Sequence, residues 1–248
     1  MQRHMLRTMV AAVATAGAAL LTVGAAGATS AGAATHYPVI YTSSQAGYTV
    51  SGRWFRYVAT YVKVPAAGSV SNYALVALGG SNVAGVNLGI QPGGGPNSIG
   101  WAVGSQPFGM GGGTLSNVSP KVGDTVLIDL YYNKATGGVT ATATDLTTNK
   151  ADDVTIAEGK SALFTSAEVA GFIHNPSSPP AADTRLWQFT DSHVTTYTGT
   201  RGTMTGPWTT SQVIDTTDGH STGHMVFSPS LPFNKGANFG TWLRTYLR

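Results

Sequence analysis

Between Thr125 and Asp145 the apolar side chains recur at every second residue, a period on which no amphipathic helix can be built. Val126, Ile128, Leu130 and Tyr132 alternate with Thr125, Leu127, Asp129 and Tyr131; residues 133–138 are turn formers; and Val139 to Asp145 alternates small apolar residues with Thr. A period of 2 sends successive side chains to opposite faces of a pleated strand. The stretch therefore predicts a β-hairpin. From Arg53 to Val64 the chain sets Trp54, Val58, Val62 and Val64 on one parity and Phe55, Tyr57 and Tyr61 on the other, until Pro65 ends the run. Short apolar runs at Tyr73–Leu78 and Val86–Ile90 stop at glycine and proline, and further strands are expected at Val169–His174, Leu186–Thr190, Val194–Thr198, Gln212–Asp215 and Met225–Phe227. Roughly ten short strands separated by turn signals make an all-β chain, a two-sheet antiparallel β-sandwich of jelly-roll or concanavalin A-like form. The Gly-rich stretches 93–96 and 109–113, which bracket Trp101, read as turns. The closing Trp242, Leu243, Tyr246 and Leu247 read as a short helical turn or an edge strand.

The N-terminus points to export. Arg3, His4 and Arg7 precede an uncharged run from Met9 to Ala28, and Ala31-Gly32-Ala33 supplies small residues at a cleavage site. That order is a signal peptide over residues 1–33. The run is mostly Ala, Gly and Thr, too weakly apolar for an anchor. Residues 34–248 are then expected to fold as one secreted domain with no membrane attachment. The chain has no cysteine, so neither disulfides nor a thiolate metal site can form, and no cofactor is expected. Two of the 14 basic residues leave with the signal, which nearly balances the rest against 11 acidic ones, and Lys and Arg are scattered rather than striped. Nucleic acid is therefore not an expected partner.

Three constellations resemble chemical sites and fail on context. Gly219-His220-Ser221-Thr222-Gly223 has the spacing of a serine-hydrolase elbow, but no Asp or Glu follows Ser221 and Pro229 blocks the helix that the elbow requires. Asp218, His220 and His224 could share a metal on one helix face, which Gly219, Thr222 and Gly223 oppose, or from a loop, where solvent-exposed histidines are the alternative. Asp191-Ser192-His193 cannot form a nucleophilic triad by adjacency alone. Glu168 is different. It is one of two glutamates, and it enters a predicted strand with Ala170, Phe172 and His174 on its parity. A lone acid there is a candidate general base of raised pKa. Equally, Thr165-Ser166-Ala167-Glu168 fits a capping box that starts a helix.

Four stretches together resemble the glutamic peptidases, the eqolisin family. They are Ala46-Gly47-Tyr48-Thr49-Val50-Ser51-Gly52 leading to Val62-Lys63-Val64-Pro65; Gly85-Val86-Asn87-Leu88; Gly123-Asp124-Thr125 with the hairpin ending Asp145-Leu146-Thr147-Thr148; and Ser166-Ala167-Glu168. The resemblance runs to about Tyr197 and implies a secreted β-sandwich acid protease acting on polypeptide. In that family a Glu activates water and a Gln stabilises the tetrahedral intermediate through its amide. Glu168 matches the Glu. The Gln position falls on Val83, and Gln91 and Gln106 are the amides that could replace it. Val169 stands where a Trp usually follows the Glu. The resemblance implies a cleft lined by Trp101 and Asn87, with cleavage at acid pH. A second expectation, from another class, is a non-catalytic module for glycan or another extracellular polymer, with Trp101, Trp208 and Tyr197 as exposed platforms.

Overall fold

The computed structural model describes residues 36–43, 45–66, 72–90, 97–105, 109–173, 185–216, 219–223 and 225–243. Among them there is no helix, and sixteen strands form one hydrogen-bonded sheet folded into two layers. One layer runs β14 (Thr209–Thr216), β2 (Gln45–Ser51), β11 (Phe164–Ile173), β4 (Asn72–Gly80), β5 (Asn82–Ile90), β6 (Ser98–Ser105) and β7 (Gly109–Leu115), with β1 (Val39–Thr42) parallel to β14. The other runs β15 (Met225–Pro229), β16 (Phe239–Leu243), β12 (Arg185–Thr196), β3 (Phe55–Lys63), β8 (Thr125–Asn133), β9 (Gly138–Asp145) and β10 (Lys150–Ala157), with β13 (Arg201–Thr203) paired to β12. The β14–β15 pairing joins the layers. β11 packs over β3 and β12, and β5 over β8 and β9.

The alternation seen in the sequence decides which residues fill the space between layers. Val126, Ile128, Leu130 and Tyr132 of β8 meet Val76, Leu78, Val86 and Leu88 of β4 and β5 in one buried core. Gly171 is required where the layers close: a Cβ there would lie 2.8 Å from the Phe227 ring and 3.1 Å from Thr241 Oγ1. Two stretches that carry the family resemblance are turn chemistry. Asp145 Oδ1 accepts hydrogen bonds from the backbone N–H groups of Thr147 (2.9 Å) and Thr148 (3.2 Å), which holds the β9–β10 turn. Asp124 Oδ2 accepts one from Lys121 N–H at 2.6 Å beside Gly123 at φ 91°.

Several expectations are corrected here. The Gly109–Gly113 stretch is strand β7 and not a turn, paired throughout with β6. It needs glycine because the Trp101 ring lies over Gly113, where a Cβ would come within 2.8 Å of it. The two strands expected on either side of Asp191 are the single strand β12, bent by a bulge between Thr190 and His193. Of the closing segment, Trp242 and Leu243 belong to β16, which lies between β12 and β15 and is not an edge; Tyr246 and Leu247 lie outside the described residues. Gly93–Pro96 lies outside the described residues.

Candidate active site

Glu168 is in the middle of β11, not at a helix start. Strand pairing on both sides, to Thr49 of β2 and to Ala77 of β4, overrides the capping-box signal. Ala167 and Val169 point into the core, so alternation sends Glu168 to the outward face of its layer. That face is unusually dry. Glu168 is 3% exposed, and its Oε1 has no hydrogen-bond partner among the described residues. Thr49, directly opposite, donates its hydroxyl to the Ala167 carbonyl at 3.2 Å and leaves the carboxyl alone. Burial pushes the Glu168 carboxyl up to about 7.

The register shows what surrounds it. The row through Glu168 continues as Ala77, Gly85, Ala102 and Gly112 across β4 to β7. The carboxyl is thus the one large polar side chain in a row of Ala and Gly, with Ala77 and Ala102 buried beside it. One step along the strands the row is Gly47, Ala170, Leu75, Asn87 and Gly100. One step the other way, Val83 shares the outward face and forms with Leu75 and Ala77 a small apolar cluster separate from the main core. Asn87 is buried with its Oδ1 unpartnered.

The structure therefore brings Glu168 and Asn87 to one face and leaves Trp101 on the other. Trp101 pairs with Val86, shares the parity of Ile99 and Val103, and packs against the main core. Its side chain therefore points away from the face that holds Glu168. Trp208 and Tyr197 are likewise packed on the core rather than displayed: Trp208 meets Phe55 edge-on at 5.6 Å, and Tyr197 meets Tyr132 at 5.7 Å. Ser221 and His220 occupy an exposed turn with β15 after it. Asp218, His224, Gln91 and Gln106 lie outside the described residues. Among the described residues no group of three potential ligands could hold a metal.

Two buried polar residues escaped the sequence reading. Asp215 of β14 is fully buried, neither carboxyl oxygen has a partner among the described residues, and burial pushes it up to about 8. Gln45 of β2 is 2% exposed with Nε2 unpartnered. Asp215 shares the parity of Val213 and Ser211, which pair with Gly47 and Thr49, so it belongs to the same face at the end near Gln45, Phe172 and Tyr73. Four residues of strand separate that end from the Glu168 row, about 13 Å, too far for the two carboxyls to share a proton. The only signal for Asp215 was an acid directly after the apolar pair Val213-Ile214.

No profile of a known family matches the chain, and neither does any curated protein sequence. Solved structures do. A scytalido-glutamic peptidase with a transition-state analog inhibitor superposes with a TM-score of 0.63 at 17% identity, covering 82% of this chain and 100% of that one. A second structure of a scytalido-glutamic peptidase, with a peptide-based transition-state analog, gives 0.59 at 18% over the same shares. A member of the eqolisin family in complex with the tripeptide Ala-Ile-His gives 0.56 at 16%, again over 82% and 100%. At these identities the likeness is one of fold: this chain has the β-sandwich of those peptidases.

Proposed function

We propose that this chain is an exported, glutamic-peptidase-like protein that takes an extended polypeptide into the outward face of the β2–β11–β4–β5 layer, with Glu168 as its proton-accepting group. The observation that carries the reading is Glu168 itself, a buried carboxyl with an unbonded oxygen at the end of a row of Ala and Gly. Water held against that oxygen would lose a proton to it and attack a peptide carbonyl. The carbonyl oxygen then becomes an anion that needs a donor. Val83 shares this face and has none to give. Loss of one such donor costs about 10² to 10³ in rate, so hydrolysis is slow in the chain as it stands.

The same residue sets the pH range. A base works only when ionised, and a carboxyl held near 7 by desolvation is mostly protonated in acid. An amide donor beside it would favour the charged form and bring the pKa down. The acid optimum implied by the family resemblance therefore gives way to activity that rises as pH approaches 7. Digestion of denatured casein between about pH 2 and 8 tests this. Wild type should cleave weakly and best near neutrality, Val83→Gln should cleave faster with a profile moved toward acid, and Glu168→Gln should not cleave. Cleavage that survives Glu168→Gln overturns the proposal. Removal of residues 1–33 on export belongs to the same reading, and N-terminal sequencing of the secreted protein should begin at Ala34.

A further inference from the structure

The opposite outward face, on the β8–β3–β12–β16 layer, carries a second constellation that the peptidase reading does not use. β3 presents Tyr57, Ala59 and Tyr61 outward. Ala59 lies between Asp129 of β8 and His193 of β12, while Tyr57 opposes Tyr131. The Tyr57 and His193 rings are 5.4 Å apart. His193 Nδ1 lies 2.7 Å from the Asp191 carbonyl, and Nε2 lies 3.1 Å from Arg201 Nη2. A guanidinium only donates, so Nε2 is the acceptor of that contact and Nδ1 the donor to the Asp191 carbonyl.

This cluster is tied to a cavity. Asp191 stands at φ 49°, a left-handed conformation that a non-glycine residue adopts at a cost. It is held there by Asn238 Oδ1, which accepts its N–H at 2.9 Å, and the next N–H, of Ser192, goes to the Ala237 carbonyl at 2.7 Å. The bulge thereby fixes the 230–238 loop against β12. Between that loop and the strands is a cavity of about 390 Å³ lined by Gln188, Thr190, Leu231, Phe233, Gly240 and Trp242 among others. Leu231 is 68% and Phe233 58% exposed at its rim. Thr190 lines the cavity and also opposes Tyr61, so the cavity and the tyrosine row form one continuous surface. From β16 to β8 it crosses three strand spacings, about 14 Å.

From this surface we infer a binding site for a neutral oligosaccharide or polysaccharide chain, running from the Trp242–Phe233 cavity across Tyr61 and Tyr57 to Tyr131. The strands concerned are interior to the sheet and their backbone groups are spent on ladders, so a peptide cannot be read by strand addition. Recognition falls to side chains. Those available alternate aromatic faces with groups that donate, such as Arg201 and the Gln188 amide, and groups that accept, such as Asp129. A sugar offers the matching sequence of C–H faces and hydroxyls, whereas a purely apolar ligand would leave the carboxylate and amide unmatched. Along the path itself Asp129 and Asp191 stand against Arg201 and Lys63, and the further acid of the face, Asp153, lies two strands beyond Asp129 on β10; this near balance favours a neutral polymer over an anionic or cationic one.

The test is retention of the purified mature chain on chitin and on cellulose, with titration by chitohexaose and cellohexaose, for wild type, Phe233→Ala and Tyr131→Ala. Both substituted residues are exposed, and a thermal melt verifies that the variants are folded. The expected result is retention on at least one polymer, at least a tenfold weaker Kd in each variant, and no displacement by excess denatured casein. The site is overturned by absence of retention on both polymers, by retention that the two variants leave unchanged, or by displacement with casein, which would make this a polypeptide surface. None of these outcomes depends on whether Glu168 cleaves peptides.

Discussion

The two outward faces of the sandwich are built to opposite specifications. On the face of β3, β8, β12 and their neighbours the polar groups are engaged: Thr140 of β9 and Thr155 of β10 share a hydroxyl hydrogen bond at 2.8 Å at the surface, and the buried His193 is held from both ring nitrogens. On the β2–β11–β4–β5 face, Gln45, Asn87, Ser166, Glu168 and Asp215 are all withdrawn from water, and each keeps an atom without a partner among the described residues. Each such atom costs about 1–3 kcal/mol. Mutually bonded polar groups stabilise the first face, whereas the second holds the unpartnered polar atoms on which the proposed peptide site relies.

The largest expected difference is in stability against pH. A carboxyl whose pKa is raised by folding contributes stability that is complete below its unfolded pKa, near 4, and is lost as pH rises to its folded value. Glu168 and Asp215, raised to about 7 and about 8, should therefore make the protein several kcal/mol less stable at pH 8 than at pH 4. The double variant Glu168→Gln/Asp215→Asn should recover much of that, raising Tm at pH 8 by roughly 10 °C with little change at pH 4. A flat Tm profile for wild type would erase the contrast between the faces.

Backbone packing should show the next largest effect. On the dry face a Cβ at Gly47 would run into the Val169 carbonyl and within 2.5 Å of the Ala170 Cα, so Gly47→Val should cost about 3 kcal/mol in chemical denaturation. On the wet face Thr142→Val should cost less than about 1 kcal/mol, because its hydrogen bond to the half-buried Asp129 is partly replaced by water. Equal costs would show that the two faces are not packed differently. The smallest effect is expected at Asp129 itself. Burial raises its carboxyl to about 6, opposed by the Thr142 hydroxyl, and Asp129→Asn should shift the midpoint of the pH–stability curve only slightly.

The contrast also explains what the sequence could disclose. Period 2 located β8, β9 and β3 because both faces of those strands carry side chains that differ in polarity. β6 and β7 were missed because Gly and Ala leave no alternation to read, although they supply the small residues of the row that runs from Glu168. The face of Trp101 was not legible, because a resemblance gives a place along the chain and not a parity, and Ile99 and Val103 commit its ring to the core. Glu168 was legible as a rare acid in a strand. Asp215 was not, since an acid at the end of an apolar run ordinarily marks a turn at the surface, and only strand pairing shows that it is covered.

The most direct test is to titrate the Glu168 carboxyl by carbon-13 NMR in wild type and in Val83→Gln. A folded-state pKa near 7 that falls in the variant is the predicted result, since the face would have gained the donor it lacks. A wild-type value near 4.5, unmoved by the substitution, would mean that the carboxyl is already solvated or bonded and that this face is not waiting for a ligand.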